Sequence, residues 1–176
     1  DSRGRIILST QGPRQTSFSY DNFSNLKSIK DPLGRTSKFS FDQVGRVLSQ
    51  TDPSNHKTSL RYDVNGNLVG LTPPGKPEHK FSFNLLELVE IYLPPLLGGA
   101  STETTYQYNL DKQLTQISRP DGRSVAYHYN QASGVLDSIS MPEGQFNYSY
   151  SSTTGQLTQL TSPDQVNMSM SYEGPL

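Results

Sequence analysis

Six side chains that directly follow an aromatic residue form what looks like a row of proton carriers: Tyr20-Asp21, Phe41-Asp42, Tyr62-Asp63, Phe83-Asn84, Tyr108-Asn109 and Tyr129-Asn130. The second member of the pair is sometimes the acid and sometimes the amide. An amide cannot replace a carboxylate that transfers protons, but it can replace one that accepts hydrogen bonds in a turn. The row is therefore expected to be structural. His56 follows Asp52-Pro53, His79 lies in a Pro-rich stretch, and His128 sits between Tyr127 and Tyr129. No two histidines stand at His-x-x-x-His spacing, and none belongs to a recognisable carboxylate motif. Ser and Thr are abundant without a nucleophile elbow, and the chain has no Cys. No catalytic residue, metal ligand or cofactor is expected.

The remaining chemistry is aromatic. Tyr106, Tyr108, Tyr127, Tyr129, Tyr148 and Tyr150 alternate with polar residues. They could stack across strands as a structural ladder, or form an exposed strip that takes sugar rings, since a Tyr ring is apolar on its faces and polar at its tip. Both readings stay open from the residues alone.

The elements that place these side chains come from a repeat. Tyr20, Phe41, Tyr62 and Phe83 follow one another at intervals of 21 residues, as do Tyr108, Tyr129 and Tyr150, with one gap of 25 between Phe83 and Tyr108. A fixed period of this kind marks one supersecondary unit copied along the chain. Each unit carries two turn signals. One follows the aromatic-Asp pair and holds Gly45, Gly66, Gly134 or Gly155, with Asn25 and Lys112 replacing Gly in two copies. The other lies mid-unit, at Asp31-Pro32-Leu33-Gly34, Asp52-Pro53-Ser54-Asn55, Pro120-Asp121-Gly122 and Pro142-Glu143-Gly144. Proline pre-sets the second turn position, and Gly or Asn tolerates the left-handed backbone that closes a short hairpin.

Between the turns, aromatic-x-aromatic stretches show the period of two expected of a half-buried strand. The companion stretches place aliphatics three apart, as in Leu26 and Ile29, Leu68 and Leu71, Leu114 and Ile117, and, as read here, Leu48 and Thr51. They are too short and too tightly bounded by Gly and Pro to be helices. A strand with a bulge, or one buried on both faces, is expected. Two strands per unit over about seven units predict an all-β fold of about 14 strands, a continuous antiparallel sheet of tandem hairpins. Residues 1–176 form one array, with an irregular unit over residues 83–108.

Composition fits a thin sheet. Apolar residues make up 32% of the chain and charged residues 18%, with a formal net charge of −1. A near-neutral chain speaks against nucleic-acid binding, which needs a clustered basic face, and no segment approaches the length of a membrane-spanning helix. The irregular unit contains an apolar run, Leu85 to Leu97, that includes Leu93 and Leu96. It is either a longer strand packed on the sheet or a partner-facing element.

Aromatic-Asp-x-x-Gly-Arg turns (Phe41-Asp42-Gln43-Val44-Gly45-Arg46), followed by Asp-Pro turns and aromatic-x-aromatic-Asp, resemble the YD repeats of the Rhs family. That family includes wall-associated proteins, the B and C components of insecticidal Tc toxin complexes, and teneurins. The resemblance runs over essentially the whole chain, and residues 72–81 followed by Tyr92-Leu93-Pro94-Pro95 look similar to a stretch of large bacterial Rhs-repeat proteins. It implies a curved strip or section of a spiralling β-shell, excised from a longer chain, that encloses or displays a toxic or effector domain. It also implies a secreted or cell-surface protein, with the remaining repeats and the C-terminal domain as partners. A glycan or cell-surface ligand is the alternative. Open sheet edges are expected to self-associate.

Overall fold

The computed structural model describes residues 1–95 and 102–174. Among the described residues sixteen strands hydrogen-bond in strict chain order, as antiparallel neighbours and without a crossover. Two compact units are distinguished, residues 1–81 and 82–176, with the boundary falling inside one strand. The first unit holds β1 (Leu8–Gln11), β2 (Arg14–Tyr20), β3 (Leu26–Lys30), β4 (Thr36–Phe41), β5 (Val47–Thr51), β6 (Lys57–Tyr62), β7 (Leu68–Thr72) and the first part of β8 (His79–Phe83). The second holds the end of β8, then β9 (Val89–Leu93), β10 (Thr104–Tyr108), β11 (Leu114–Ser118), β12 (Ser124–Tyr129), β13 (Leu136–Met141), β14 (Gly144–Tyr150), β15 (Leu157–Thr161) and β16 (Asn167–Ser169). The fold is all-β and the strand order is open, with β1 and β16 at its two ends. The seven units that begin at Tyr20 account for β3 to β16, two strands each, and the hairpin of β1 and β2 ahead of them supplies the two strands beyond the expected 14.

The odd spacing of the aliphatics has a specific cause. In the hairpins that follow Tyr20, Phe41, Tyr62, Tyr108, Tyr129 and Tyr150, one residue is left over. Tyr20 pairs with Leu26 while Ser19 pairs with Ser28, so Lys27 is extra. Leu48, Val69, Thr115, Asp137 and Thr158 are the extra residues at the same place in β5, β7, β11, β13 and β15. The bulge shifts the side-chain alternation by one, which brings residues three apart onto one face. Leu26 and Ile29 thus both meet the aromatic strand, opposite Tyr20 and Phe18. In β5 the equivalent pair is Val47 and Gln50, opposite Phe41 and Phe39, rather than Leu48 and Thr51. Leu48 is the bulged residue, and its aliphatic character disguised the register.

The two faces of the sheet therefore differ. One carries the aromatics, opposite aliphatics except where Phe39 meets Gln50: Phe18 faces Ile29, Tyr106 faces Ile117, Tyr127 faces Ile139, and Tyr148 faces Leu160. Equivalent aromatics lie two strands apart, about 10 Å, so the ladder alternates aromatic with aliphatic instead of stacking like on like. The opposite face carries hydroxyls, amides and lysines, with Ser19 and Ser28 sharing a hydrogen bond at 2.7 Å and Ser40 and Ser49 another at 2.7 Å. No apolar side chain is fully buried among the described residues. Stability must then come from the backbone ladder, cross-strand pairs and turns, each contact made mainly with the next strand.

Candidate functional site

The aromatic-Asp pairs sit where each bulged hairpin turns. Asp42 Oδ1 accepts backbone N–H bonds from Val44 at 3.0 Å and Arg46 at 2.9 Å, while its Oδ2 accepts Arg46 Nε at 2.6 Å. The Asp42 N–H in turn reaches the Arg46 carbonyl, and Gly45 N–H reaches the Asp42 carbonyl. Gly45 adopts φ +87°, the left-handed position that closes the turn. Asp21, Asp63, Asn84 and Asn109 repeat the double Oδ1 contact with the backbone N–H groups two and four residues on. Asn130 heads a longer turn and bonds Ala132 and Ser133 instead. Only an acceptor is needed in these turns, and Asp and Asn both supply one.

The mid-unit turns at Asp31 and Asp52 use the same geometry, with Pro32 and Pro53 one residue on and Gly34 or Asn55 in the left-handed position. Pro120 and Gly122 serve a turn headed by Arg119, with Gly122 at φ +79°. Pro142 lies in a two-residue turn between Met141 and Gly144, whose φ is +133°. Gly66, in the turn after Asp63, has φ +99°. In the first turn the left-handed residue is Ser24, φ +73°, not Asn25. Asn25 occupies the fifth position, where its side-chain amide donates to Asp21 Oδ2 at 3.1 Å.

That fifth position was missed in the sequence, although its residue types carry the signal. Arg5, Asn25, Arg35, Arg46, His56, Asn67 and Gln113 all stand four residues after an Asp or Asn and contact its side chain. His56 accordingly does pair with a carboxylate, with Nδ1 at 2.9 Å from Asp52 Oδ2, as a turn residue in the place of Arg. Several of these side chains also reach the next turn: Arg46 donates to the Asp63 carbonyl at 3.3 Å and Gln113 to the Gly134 carbonyl at 2.8 Å. Partial burial alone would raise the carboxyls of Asp21, Asp31, Asp42 and Asp63. Hydrogen bonds from the turn outweigh it and hold all four below the ordinary value. For Asp52 the backbone bond from His56 is the leading cause and acts in the same direction.

The tyrosines divide into two sets. Tyr108, Tyr129 and Tyr150 donate their hydroxyls to the carbonyls of Val89, Leu114 and Leu136, each at 2.9 Å, and Tyr20 reaches Ile6 at 2.8 Å. Val89, Leu114 and Leu136 belong to the preceding strand, beyond the last ladder pair, which for β11 and β12 is Gln116 with Ala126, and Ile6 lies just ahead of β1. The tyrosine closes a gap that the bulge opens. Burial, followed by the charge of the nearest tyrosine, raises the pKa of Tyr108, Tyr129 and Tyr150. Tyr62 instead lies under the Arg46 guanidinium, 4.8 Å from its ring centre. Tyr106, Tyr127 and Tyr148 are half-buried on the same face. Tyr148 and Tyr150 line a shallow concavity of about 380 Å³ together with Asn130, Asp137 and Ser152.

Leu93 ends β9 half-buried. By alternation it and Ile91 fall on the otherwise polar face, Ile91 opposite Thr105. Leu96 and Leu97 lie outside the described residues. His128 is on the polar face, 3.2 Å from Ser140 Oγ. Among the described residues no three His, Cys, Asp or Glu side chains converge in a way that could hold a metal ion, and no helix is long and apolar enough to cross a membrane.

A family model described as Teneurin YD-shell matches residues 1–176. No curated protein matches. Among solved structures, the chain is similar to the crystal structure of TcdB2-TccC3-Cdc42, with 20% identity and a TM-score of 0.69 over 90% of this chain and 10% of that one. It is also similar to the Photorhabdus luminescens Tc holotoxin pore, with 20% identity and a TM-score of 0.68 over 90% of this chain and 9% of that one. TcdB2-TccC3 matches with 22% identity and a TM-score of 0.58 over 85% of this chain and 9% of that one. The chain thus spans about a tenth of the length of these structures, and at such identities the likeness is one of fold.

Proposed function

Because the chain belongs to the teneurin YD-shell family over its whole length, we propose that it is a section of wall: a structural stretch of about seven tandem repeats in a larger shell that encloses or displays a toxic or effector domain. The wall performs no catalysis of its own. The observation that carries this reading is where the polar groups are spent. The recurring acids and amides cap turns, and the tyrosine hydroxyls of Tyr20, Tyr108, Tyr129 and Tyr150 close gaps between strands. A sheet whose strands follow chain order can be lengthened by adding repeats, which is what a wall requires. Its partners are the remaining repeats and the enclosed C-terminal domain, and the whole is secreted or displayed at a cell surface.

Protease protection of the full-length protein tests this. The domain beyond the repeats should resist a protease that digests the same domain when expressed alone; digestion at equal rates refutes enclosure.

A second reading, carbohydrate binding, is favoured by one feature. Tyr148 lies beside Asp137 in the 380 Å³ concavity, and an aromatic ring next to a carboxylate suits a sugar. Loss of glycan binding on Tyr148→Ala in a folded chain supports it, and a blank glycan array removes it.

A further inference from the structure

The net charge of −1 conceals a strong internal asymmetry. Residues 1–81 contain 12 Lys and Arg against 7 Asp and Glu, a surplus of five positive charges. All seven acids of this unit are engaged. Asp1, Asp31 and Asp42 each hold an Arg, Asp52 holds His56, Asp21 and Asp63 cap turns with Asn, and Glu78 pairs with Arg61. With Arg5, Arg35, Arg46 and Arg61 holding acids, the surplus rests mostly on lysines.

Strand register gathers four of them on the polar face. Lys30 stands opposite Ser17, and Lys38 opposite Ser28 and Thr51. Thr51 in turn faces Lys57, which puts Lys38 and Lys57 two strands, about 10 Å, apart. Lys80 faces Gly70 farther along. All four are exposed. Where the row begins, a concavity of about 320 Å³ is walled by Leu8 and Pro32 and lined by Gln15, Ser17 and Lys30. Asp31 also borders it, but Oδ1 of Asp31 is bonded to two backbone N–H groups and Oδ2 to Arg35.

We propose that this face of residues 1–81 binds an acidic polysaccharide. Lys30 takes a carboxylate or sulfate at the concavity, Gln15 and Ser17 take sugar hydroxyls, and Leu8 and Pro32 cover the apolar side of the ring. Lys38 and Lys57 continue the contact along the chain of sugars. Nucleic acid fits less well: the phenylalanines and tyrosines that would stack on bases lie on the opposite face, and Arg61, the arginine on this one, is tied to Glu78.

The test uses the 176-residue chain and three probes: a heparin oligosaccharide, a neutral dextran oligosaccharide of similar length, and single-stranded DNA. Heparin binding should exceed dextran binding and weaken as salt is raised. In the triple variant Lys30→Gln, Lys38→Gln, Lys57→Gln it should fall at least about tenfold. Lys112→Gln, in the other unit, should change it by less than about twofold. Equal binding of dextran, tighter binding of DNA with the same lysine dependence, or a triple variant indistinguishable from the parent each overturns the proposal. Circular dichroism of the triple variant confirms that any loss is not unfolding, since all three lysines are exposed.

Discussion

Replacing Tyr129 by Phe removes one atom, the hydroxyl oxygen that donates to the Leu114 carbonyl at 2.9 Å, and leaves the ring opposite Leu136. A hydrogen bond of this kind contributes a net ~0.5–1.5 kcal/mol. Leu114 is only half-buried, so water can reach the abandoned carbonyl and the full penalty for a buried unpaired acceptor does not apply. About 1 kcal/mol is expected, which for a chain of this size lowers the thermal midpoint by about 2–4 °C. Tyr108→Phe and Tyr150→Phe should cost the same, because their bonds to Val89 and Leu136 have the same length. Each hydroxyl has its own carbonyl, but Leu114 faces Tyr108 and accepts from Tyr129, and Leu136 faces Tyr129 and accepts from Tyr150. The sites are therefore coupled, and the triple variant should depart from the simple sum of about 3 kcal/mol by about 0.5 kcal/mol or more. Tyr127→Phe is the internal control. It sits on the same face of the same strand opposite Ile139, and its loss should stay within ~0.5 kcal/mol. Urea titration followed by far-ultraviolet circular dichroism reads all five proteins. Equal shifts for Tyr127→Phe and Tyr129→Phe, or no shift for either, would refute the gap-closing role of the hydroxyl.

Asp42→Asn keeps an oxygen that accepts from the Val44 and Arg46 backbone N–H groups but sets an NH2 against the Arg46 guanidinium, so it should lower the thermal midpoint by less than Asp42→Ala, which should lower it by about a few degrees. Acid titration should show a flat stability plateau above about pH 5 and a decline below about pH 4. The folded carboxyls of Asp21, Asp42 and Asp63 lie below their ordinary value of 3.8, so the unfolded chain binds more protons there, and the triple Asn variant should flatten this decline. At high pH the signs reverse: Tyr108, Tyr129 and Tyr150 have raised values, so their contribution is complete below about pH 10 and is lost above it, a step visible by tyrosinate absorbance. Gly144→Ala places a Cβ about 2.5 Å from Pro163 Cβ at φ +133°, and should cost ~1–3 kcal/mol in the same urea assay, more than Gly155→Ala, where a Cβ meets nothing.

Much of this fold was legible because its signals are local and repeated. The alternation of Tyr127 and Tyr129 marks a strand, Asp31-Pro32 and Gly34 mark a turn, and the recurrence of both announces an open row of hairpins. The bulge was harder to place. Leu26 and Ile29 reveal a register shift, but in β5 an aliphatic, Leu48, stands at the extra position and masks Val47, the residue that faces Phe41. The turn network was half visible: Asp or Asn is legible as an acceptor of backbone bonds, while the fifth residue varies in type and in role, Arg46 and Asn67 donating to the carboxylate and Gln113 accepting from the Asn109 amide. The lysine face was hidden for a different reason. Lys30, Lys38 and Lys57 are scattered in sequence and cancelled in the sum by acids beyond residue 81; only strand register brings them together.

Electron cryo-microscopy of the full-length protein decides whether these residues are a section of wall. As such a section, residues 1–176 are expected to occupy an unbroken stretch of a larger sheet, with β1 and β16 each hydrogen-bonded to strands from outside the segment. Density showing residues 1–176 as a separate domain, with β1 and β16 left unpaired, would contradict this.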